Sequence, residues 1–287
     1  DADDGCSLKA IHAVIDGLTK TDKKGNIVNA VAKSEELSED GLTHTYKLRK
    51  DVKWTNGDPV TAHDFVYAWQ RIFRKKGSYY YMFADGIASI EGAQELSDKI
   101  DAGEELTDDD LNSMGVKAID DYTLEVKTTV RVSFLDELMA FPCFFPINEK
   151  FCEKQGDKYG KSAKAILGNG AFIMTNWESG SIAEFKKNED YYEAKTVKIE
   201  KLVMKLVQDP KVAAQSFMAG ETDYAPITSD LVDKYKDDES FKQVPEGFLY
   251  YLSVNFQNSD LVNLNVRKAI SLAINRKDLC ENVLKDG

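Results

Sequence analysis

Residues 41–73 read GLTHTYKLRKDVKWTNGDPVTAHDFVYAWQRIF, and this stretch decides how the rest of the chain is interpreted. Tyr46 and Leu48 alternate with Thr45, Lys47 and Arg49, which is the period of a half-buried strand. Asn56-Gly57 and Asp58-Pro59 then interrupt the chain, and Thr61 with Asp64 three residues on forms a capping-box-like helix start. In the helix that follows, Phe65, Trp69 and Phe73 recur at four-residue spacing beside Val66 and Ile72, so one apolar face is expected to pack on the sheet.

On the N-terminal side, residues 33–37 and 42–48 are expected to pair across Ser38-Glu39-Asp40-Gly41, and before them Leu8, Ile11, Ile15 and Leu18 mark a helix ending near Asp16-Gly17. On the C-terminal side, Tyr79, Tyr80, Tyr81 and Phe83 form an aromatic cluster, residues 87–100 read as helix, and residues 101–110 as an acidic, solvated stretch. A second hairpin is expected over 116–119 and 122–127, with a short apolar helix at Phe134 to Met139. Pro142 and Pro146 disfavour regular structure and place a subdomain boundary near Pro146.

Residues 171–177 and 181–187 read as two strands, and 197–207 as a long one. Asp209 as N-cap, Pro210 at the first helical position and Gly220 beyond the end bound a helix, and residues 222–225 are expected to form a strand after it. That strand-helix-strand unit argues for an α/β core with a parallel component. A helix over 229–235, a strand near 241–244, an aromatic strand over 248–256 (FLYYLSVNF), a helix over 266–274 and another from Lys277 complete the expected order.

The 287 residues suffice for two domains or one large one, and 43% hydrophobic with 30% charged residues places the chain among globular proteins. A net charge of -12 without any Lys/Arg block argues against nucleic acid as partner. No apolar run approaches the ~18 residues that span a bilayer. The start DADDG, without Met, points to a processed or trimmed chain; Gly5-Cys6 resembles the end of a lipoprotein cleavage box, but Ala2-Asp3-Asp4 is too polar to precede one. Cys6, Cys143, Cys152 and Cys280 lack metal-like spacing and read as free or buried thiols, with a Cys143–Cys152 bridge as the alternative in an exported protein.

His12, His44 and His63 form no HExxH pair, the acidic run lacks the order of a calcium loop, and there is no GxSxG, GxxxxGK[ST] or GxGxxG motif. No cofactor, metal or catalytic residue is therefore expected, and an acidic secreted enzyme without a recognised motif is the reading left for another class.

The order Trp54, Asn56-Gly57-Asp58-Pro59-Val60-Thr61-Ala62 and Asp64-Phe65-Val66 resembles the family of extracellular solute-binding proteins, family 5, that serve peptide and nickel importers. GVKAIDDYTLEVKT (115–128) and Asn169-Gly170-Ala171-Phe172 with Trp177 resemble further parts of the same family. The resemblance implies the α/β fold of a periplasmic-binding-protein-like lobe, with a mixed sheet and an extra α+β subdomain. Residues 1–19 and 146–247 would form the main part of the first lobe, 20–145 the extra subdomain, and 248–287 a hinge strand and the start of a second lobe.

It further implies the receptor of an ABC importer, not an enzyme, that captures extracellular oligopeptides between two lobes and passes them to membrane permease subunits. The expected form is a monomer, extracellular, as a cell-surface lipoprotein or in the periplasm. Dipeptides, a nickel complex or another small solute are the alternative ligands within the family. Ligand contacts carried over by position are Asp3, Asp4 and Gly5 at the loop after the family's first strand, Tyr79 or Tyr80, Tyr224 and Pro226, and Tyr250 and Tyr251 on the hinge strand. Family members are much longer, so the chain is expected to be a fragment lacking most of the second lobe, with weak peptide binding or none.

Overall fold

The computed structural model describes residues 2–244 and 250–285. The chain forms two compact units, Asp1–Lys205 and Leu206–Gly287. In the first, α1 (Gly5–Val14) leads to a short hairpin, β1 (Thr19–Thr21) with β2 (Ile27–Asn29). Next come β3 (Ala32–Leu37), β4 (Thr43–Leu48), α2 (Ala62–Arg74), α3 (Ala93–Asp101), α4 (Asp108–Asn112), β5 (Val116–Asp120) and β6 (Thr123–Lys127). These strands make an antiparallel sheet in the order β3-β4-β6-β5. After α5 (Leu135–Met139) and α6 (Glu149–Gln155), β7 (Phe172–Glu178), β8 (Ile182–Lys187) and β9 (Lys201–Lys205) form a second antiparallel sheet.

The strand, turn and helix read from residues 41–73 are all present. Asp64 Oδ2 accepts the Thr61 backbone N–H at 2.7 Å and the Trp54 indole N–H at 3.3 Å, so one carboxylate both starts α2 and ties it to the preceding turn. Phe65, Trp69 and Phe73 are fully buried. The Trp69 indole donates to the Phe144 carbonyl at 3.0 Å, and its ring meets Phe83 and Phe144 edge-on at 5.6 and 5.7 Å. Truncating Trp69 to Ala would cost about 3–5 kcal/mol on the scale of large aromatic deletions. A separate small core of Val14, Ile15, Phe145 and Phe185 holds α1 against the second sheet.

Several expected elements are shorter. The helix read over 87–100 begins only at Ala93, because Ser89 and Gly92 adopt positive φ (48° and 78°) and Ile90 forms an isolated bridge with Thr128. The strand read over 197–207 is confined to Lys201–Lys205. Residues 222–225 and 241–244 form no strand, so the expected parallel unit is not built. Every strand pairing among the described residues is antiparallel.

The second unit is helical where described: α7 (Pro210–Met218), α8 (Ser229–Tyr235), α9 (Ser259–Val262), α10 (Leu264–Ala273) and α11 (Arg276–Asp278). With no strand beside them among the described residues, the amides of 222–225 lack a ladder to join, and a strand is stable only where its backbone is paired. Of the aromatic strand expected over 248–256, Phe248 and Leu249 lie outside the described residues and 250–255 is irregular. All four cysteines are free thiols, Cys152 buried and Cys143 half-buried beside Met82. Among the described residues no helix is long and apolar enough to cross a membrane.

On β3 and β4 a polar cluster is built into the sheet. His44 Nδ1 meets Glu35 Oε1 at 2.5 Å, and the Tyr46 hydroxyl donates to Asp136 Oδ1 at 3.1 Å. The His44 hydrogen bond holds the Glu35 carboxyl below its usual range, while burial foremost, then the Glu35 charge, pushes that of Asp136 up. A carboxyl raised in the folded state carries no penalty below its unfolded pKa of about 3.9 and loses stability as pH rises through the folded pKa. Asp136→Asn, which keeps an acceptor for Tyr46, is therefore expected to raise the urea midpoint at neutral pH, the gain shrinking to nothing below about pH 4. A gain of equal size at pH 3 and pH 7 contradicts this assignment.

Candidate ligand-binding site

The first turn of α1 carries the loop candidates. Asp4 is its N-cap, with Oδ1 accepting the backbone N–H groups of Cys6 (3.0 Å) and Ser7 (2.9 Å). The Ser7 side chain foremost, then these backbone bonds, hold the Asp4 carboxyl below its usual range, so it is a carboxylate at neutral pH. Asp3 Oδ2 accepts the Ser78 hydroxyl at 3.2 Å, which brings the loop against the aromatic cluster. Tyr79, next in the chain, packs edge-on against Phe141 at 5.3 Å and near Tyr81 at 6.3 Å. Its phenol is pushed up by burial first, then by the charges of Tyr81 and Asp3, with Asp4 contributing less.

Asp3, Asp4, Gly5 and Tyr79 thus form one corner with two exposed carboxylates beside an aromatic face, a pattern suited to an ammonium group. Tyr80 takes no part in it. Its ring packs against the buried Phe73 at 6.1 Å and its hydroxyl bonds to Asp101. Tyr224, Pro226, Tyr250 and Tyr251 belong to the second unit and are exposed there, the three tyrosines by 74%, 85% and 77%. Among the described residues no group of three or more His, Cys, Asp or Glu side chains could hold a metal ion.

What holds the helix behind the corner is a set of contacts between residues far apart in the sequence. At the C-terminal end of α1, the Asp16 amide donates to Asn169 Oδ1 at 2.8 Å and the Asn169 side-chain N–H returns to the Asp16 carbonyl at 3.2 Å. The Gly170 amide donates to the Val14 carbonyl at 2.9 Å. A Cβ at Gly168 would lie 2.1 Å from the Val14 oxygen, and one at Gly170 2.7 Å from the Val14 carbonyl carbon, so both positions require glycine for the close approach.

The Asp16 carboxylate then accepts both the Tyr191 and Tyr192 hydroxyls, at 2.6 and 2.7 Å. Lys20 Nζ donates to the same two hydroxyls, at 2.9 and 3.2 Å, and pairs with Glu193 at 2.5 Å. Burial opposes the Lys20 charge, but Asp16, Glu193 and Tyr191 outweigh it and raise its pKa. The Tyr191 phenol is pushed up to about 12 by burial first and then by Asp16. Asn169-Gly170 and Asp16-Gly17 were visible as turns, but that they meet across 153 residues of chain is no local pattern.

Residues 26–287 match the model of the bacterial extracellular solute-binding proteins, family 5 Middle. The chain belongs to this family. It is 31% identical to the dipeptide-binding protein DppE of Bacillus subtilis (strain 168) over 280 residues, covering 98% of this chain and 50% of that protein. It is also 31% identical to the oligopeptide-binding protein OppA of the same organism, over 287 residues, 98% of this chain and 51% of that one. Among solved structures, Listeria monocytogenes OppA bound to peptide matches with a TM-score of 0.78 and 30% identity, covering 100% of this chain and 56% of that one. The pheromone receptor PrgZ matches with a TM-score of 0.83 and 29% identity, at the same coverage. These likenesses show the periplasmic-binding-protein-like α/β fold, and this chain spans about half the length of the curated relatives it matches.

For a family 5 solute-binding protein built this way, the glycine loop is the mount of the corner. Gly170→Ala is expected to lower stability by about 1–3 kcal/mol through overpacking against the α1 backbone, read as a lower urea midpoint at unchanged slope. A change within about 0.5 kcal/mol, the range of ordinary surface substitutions, contradicts the tight approach.

Proposed function

We propose that this chain is part of the substrate-binding receptor of an ABC importer and that its ligands are oligopeptides. The observation that carries the reading is the meeting of the Asp3 and Asp4 carboxylates with Ser78 and Tyr79 at the start of α1, in a chain whose relatives include dipeptide- and oligopeptide-binding proteins. A peptide offers one feature that every sequence shares, its free ammonium, and a pair of carboxylates recognises it without regard to side chains.

In this reading residues 1–19 and 146–247 form the main part of the first lobe, 20–145 the extra subdomain, and 248–287 the hinge and the start of the second lobe. Tyr224, Pro226, Tyr250 and Tyr251 are the further ligand contacts of this reading, the last two on the hinge strand. The receptor works as a monomer outside the cytoplasmic membrane, free in the periplasm or held as a lipoprotein, and delivers peptide to the permease subunits. Because a longer relative supplies about as much chain again, the 287 residues alone hold peptide weakly. No enzymatic step is part of the proposal.

The test uses nuclear magnetic resonance titration of the 287-residue chain with millimolar tripeptides, with and without an N-acetyl cap. Free-amine peptides are expected to shift signals around Tyr79. Asp3→Asn combined with Asp4→Asn, which keeps an N-cap side chain, is expected to weaken them about fivefold, the size of an exposed ion pair. Equal binding of capped and uncapped peptides, or equal binding by the double variant, contradicts the proposed role of the carboxylates.

A further inference from the structure

An open groove of about 460 Å³ runs along β5 and shares no residue with the ligand corner. That volume lies within the ~300–1,000 Å³ of ligand-sized sites. One wall is a face of α2 carrying His63, Val66 and Gln70, and the other is residues 116–119. Side chains along a strand point alternately to opposite faces, so consecutive residues border one groove only through their shared main-chain edge. β5 is the last strand of its sheet, with β6 on one side and no strand on the other among the described residues. The Lys127 amide donates to the Gly115 carbonyl at 2.7 Å, and bonded and non-bonded residues alternate along an antiparallel pair. Lys117 therefore bonds toward β6, while the Val116 carbonyl and the Ala118 N–H and C=O point outward into the groove.

Charge narrows what this edge accepts. No carboxylate lines the groove, in a chain of net charge -12. His63 lies 3.5 Å from Asp121, whereas Lys117, although opposite Glu125 in the sheet, makes no ion pair among the described residues. We infer that β5 accepts an extended segment of a partner protein as an added antiparallel strand, with a carboxylate of that segment opposite Lys117. Main-chain bonds to Val116 and Ala118 hold the segment whatever its sequence, and the Lys117 charge selects among segments. The residues flanking the carboxylate then share the face of Val116 and Ala118, on which α2 packs, so apolar side chains there meet Val66. A second copy of this chain is the poorer occupant. Pairing two β5 strands through Val116 and Ala118 sets one Lys117 opposite the other, and like charges directly opposite are destabilising. The bulge between Ala118 and Asp120 ends the straight edge, so the docked segment is short. The inference does not rest on the receptor reading, which concerns the start of α1.

The probes are the peptide acetyl-Thr-Val-Glu-Val-Thr-amide and its counterpart with Lys in place of Glu, titrated at millimolar concentration into the nitrogen-labelled 287-residue chain. The acetyl cap removes the free ammonium that the carboxylate corner would recognise. The Glu peptide is expected to shift the amides of Lys117, Ala118 and Ile119 and to bind about fivefold more tightly than the Lys peptide, the size of an exposed ion pair. N-methylation of both Val residues of the peptide is expected to abolish binding and N-methylation of its Glu to leave it unchanged, because only the Val N–H groups turn toward β5. Lys117→Glu is expected to invert the charge preference. Ala118→Pro, which removes the outward N–H at an edge position where Pro is tolerated, is expected to lose binding; Lys117→Glu keeps the inference testable if that variant does not fold.

Equal binding of the Glu and Lys peptides overturns the inference, as does binding that survives methylation of both Val residues. Absence of shifts at residues 116–119 with every peptide overturns it likewise. Shifts of these amides with protein concentration alone would make a second copy the occupant and overturn it too.

Discussion

The Asp16 carboxylate is the constraint on which the rest of the first unit depends. It accepts two tyrosine hydroxyls from the 191–192 pair while its own amide and carbonyl are taken by Asn169. Both hydroxyls donate to one oxygen of this buried carboxylate, and removing either would cost a charge-assisted hydrogen bond in a low-dielectric setting. Because Asp16 follows the C-cap of α1, Ile15, the lock holds the C-terminal end of that helix. A ten-residue helix then carries the constraint to Asp3 and Asp4 at its other end. The position of the candidate ligand corner is thus set some 15 Å away, at ~1.5 Å of rise per residue.

Much of the first unit could be read locally because each element states its own ends. Thr61 and Asp64 cap α2, its aromatic face is spaced at four residues, and the 33–48 and 116–127 hairpins alternate cleanly around turn formers. Where local signals failed, the cause was non-local or conformational. Residues 87–92 have helix-compatible composition, but the left-handed Ser89 and Gly92 and the bridge from Ile90 to Thr128 turn the chain before α3 begins. Residues 222–225 have strand-like composition yet meet no paired backbone, and propensity alone does not make a strand.

The site divides in the same way. Asp3, Asp4 and Tyr79 came from family resemblance, and the fold brings them together, whereas Tyr80 is absorbed by Phe73 and Asp101. Adjacent tyrosines leave a turn in different directions, so sequence could not choose between them. The Asp16, Asn169, Tyr191 and Tyr192 contacts span more than 150 residues and carry no local periodicity, which is why their meeting was illegible in the sequence.

In this account α1 is held as one body with the glycine loop and the tyrosine lock, which fixes the position of its N-terminal carboxylates. Native-state hydrogen exchange measures this directly. The amides of Ile15, Asp16 and Gly170, which donate to Ile11, Asn169 and Val14, are expected to exchange as slowly as the buried helix α2, opening only with the whole unit. Fast exchange of these three amides by local opening, with α2 still protected, would contradict it.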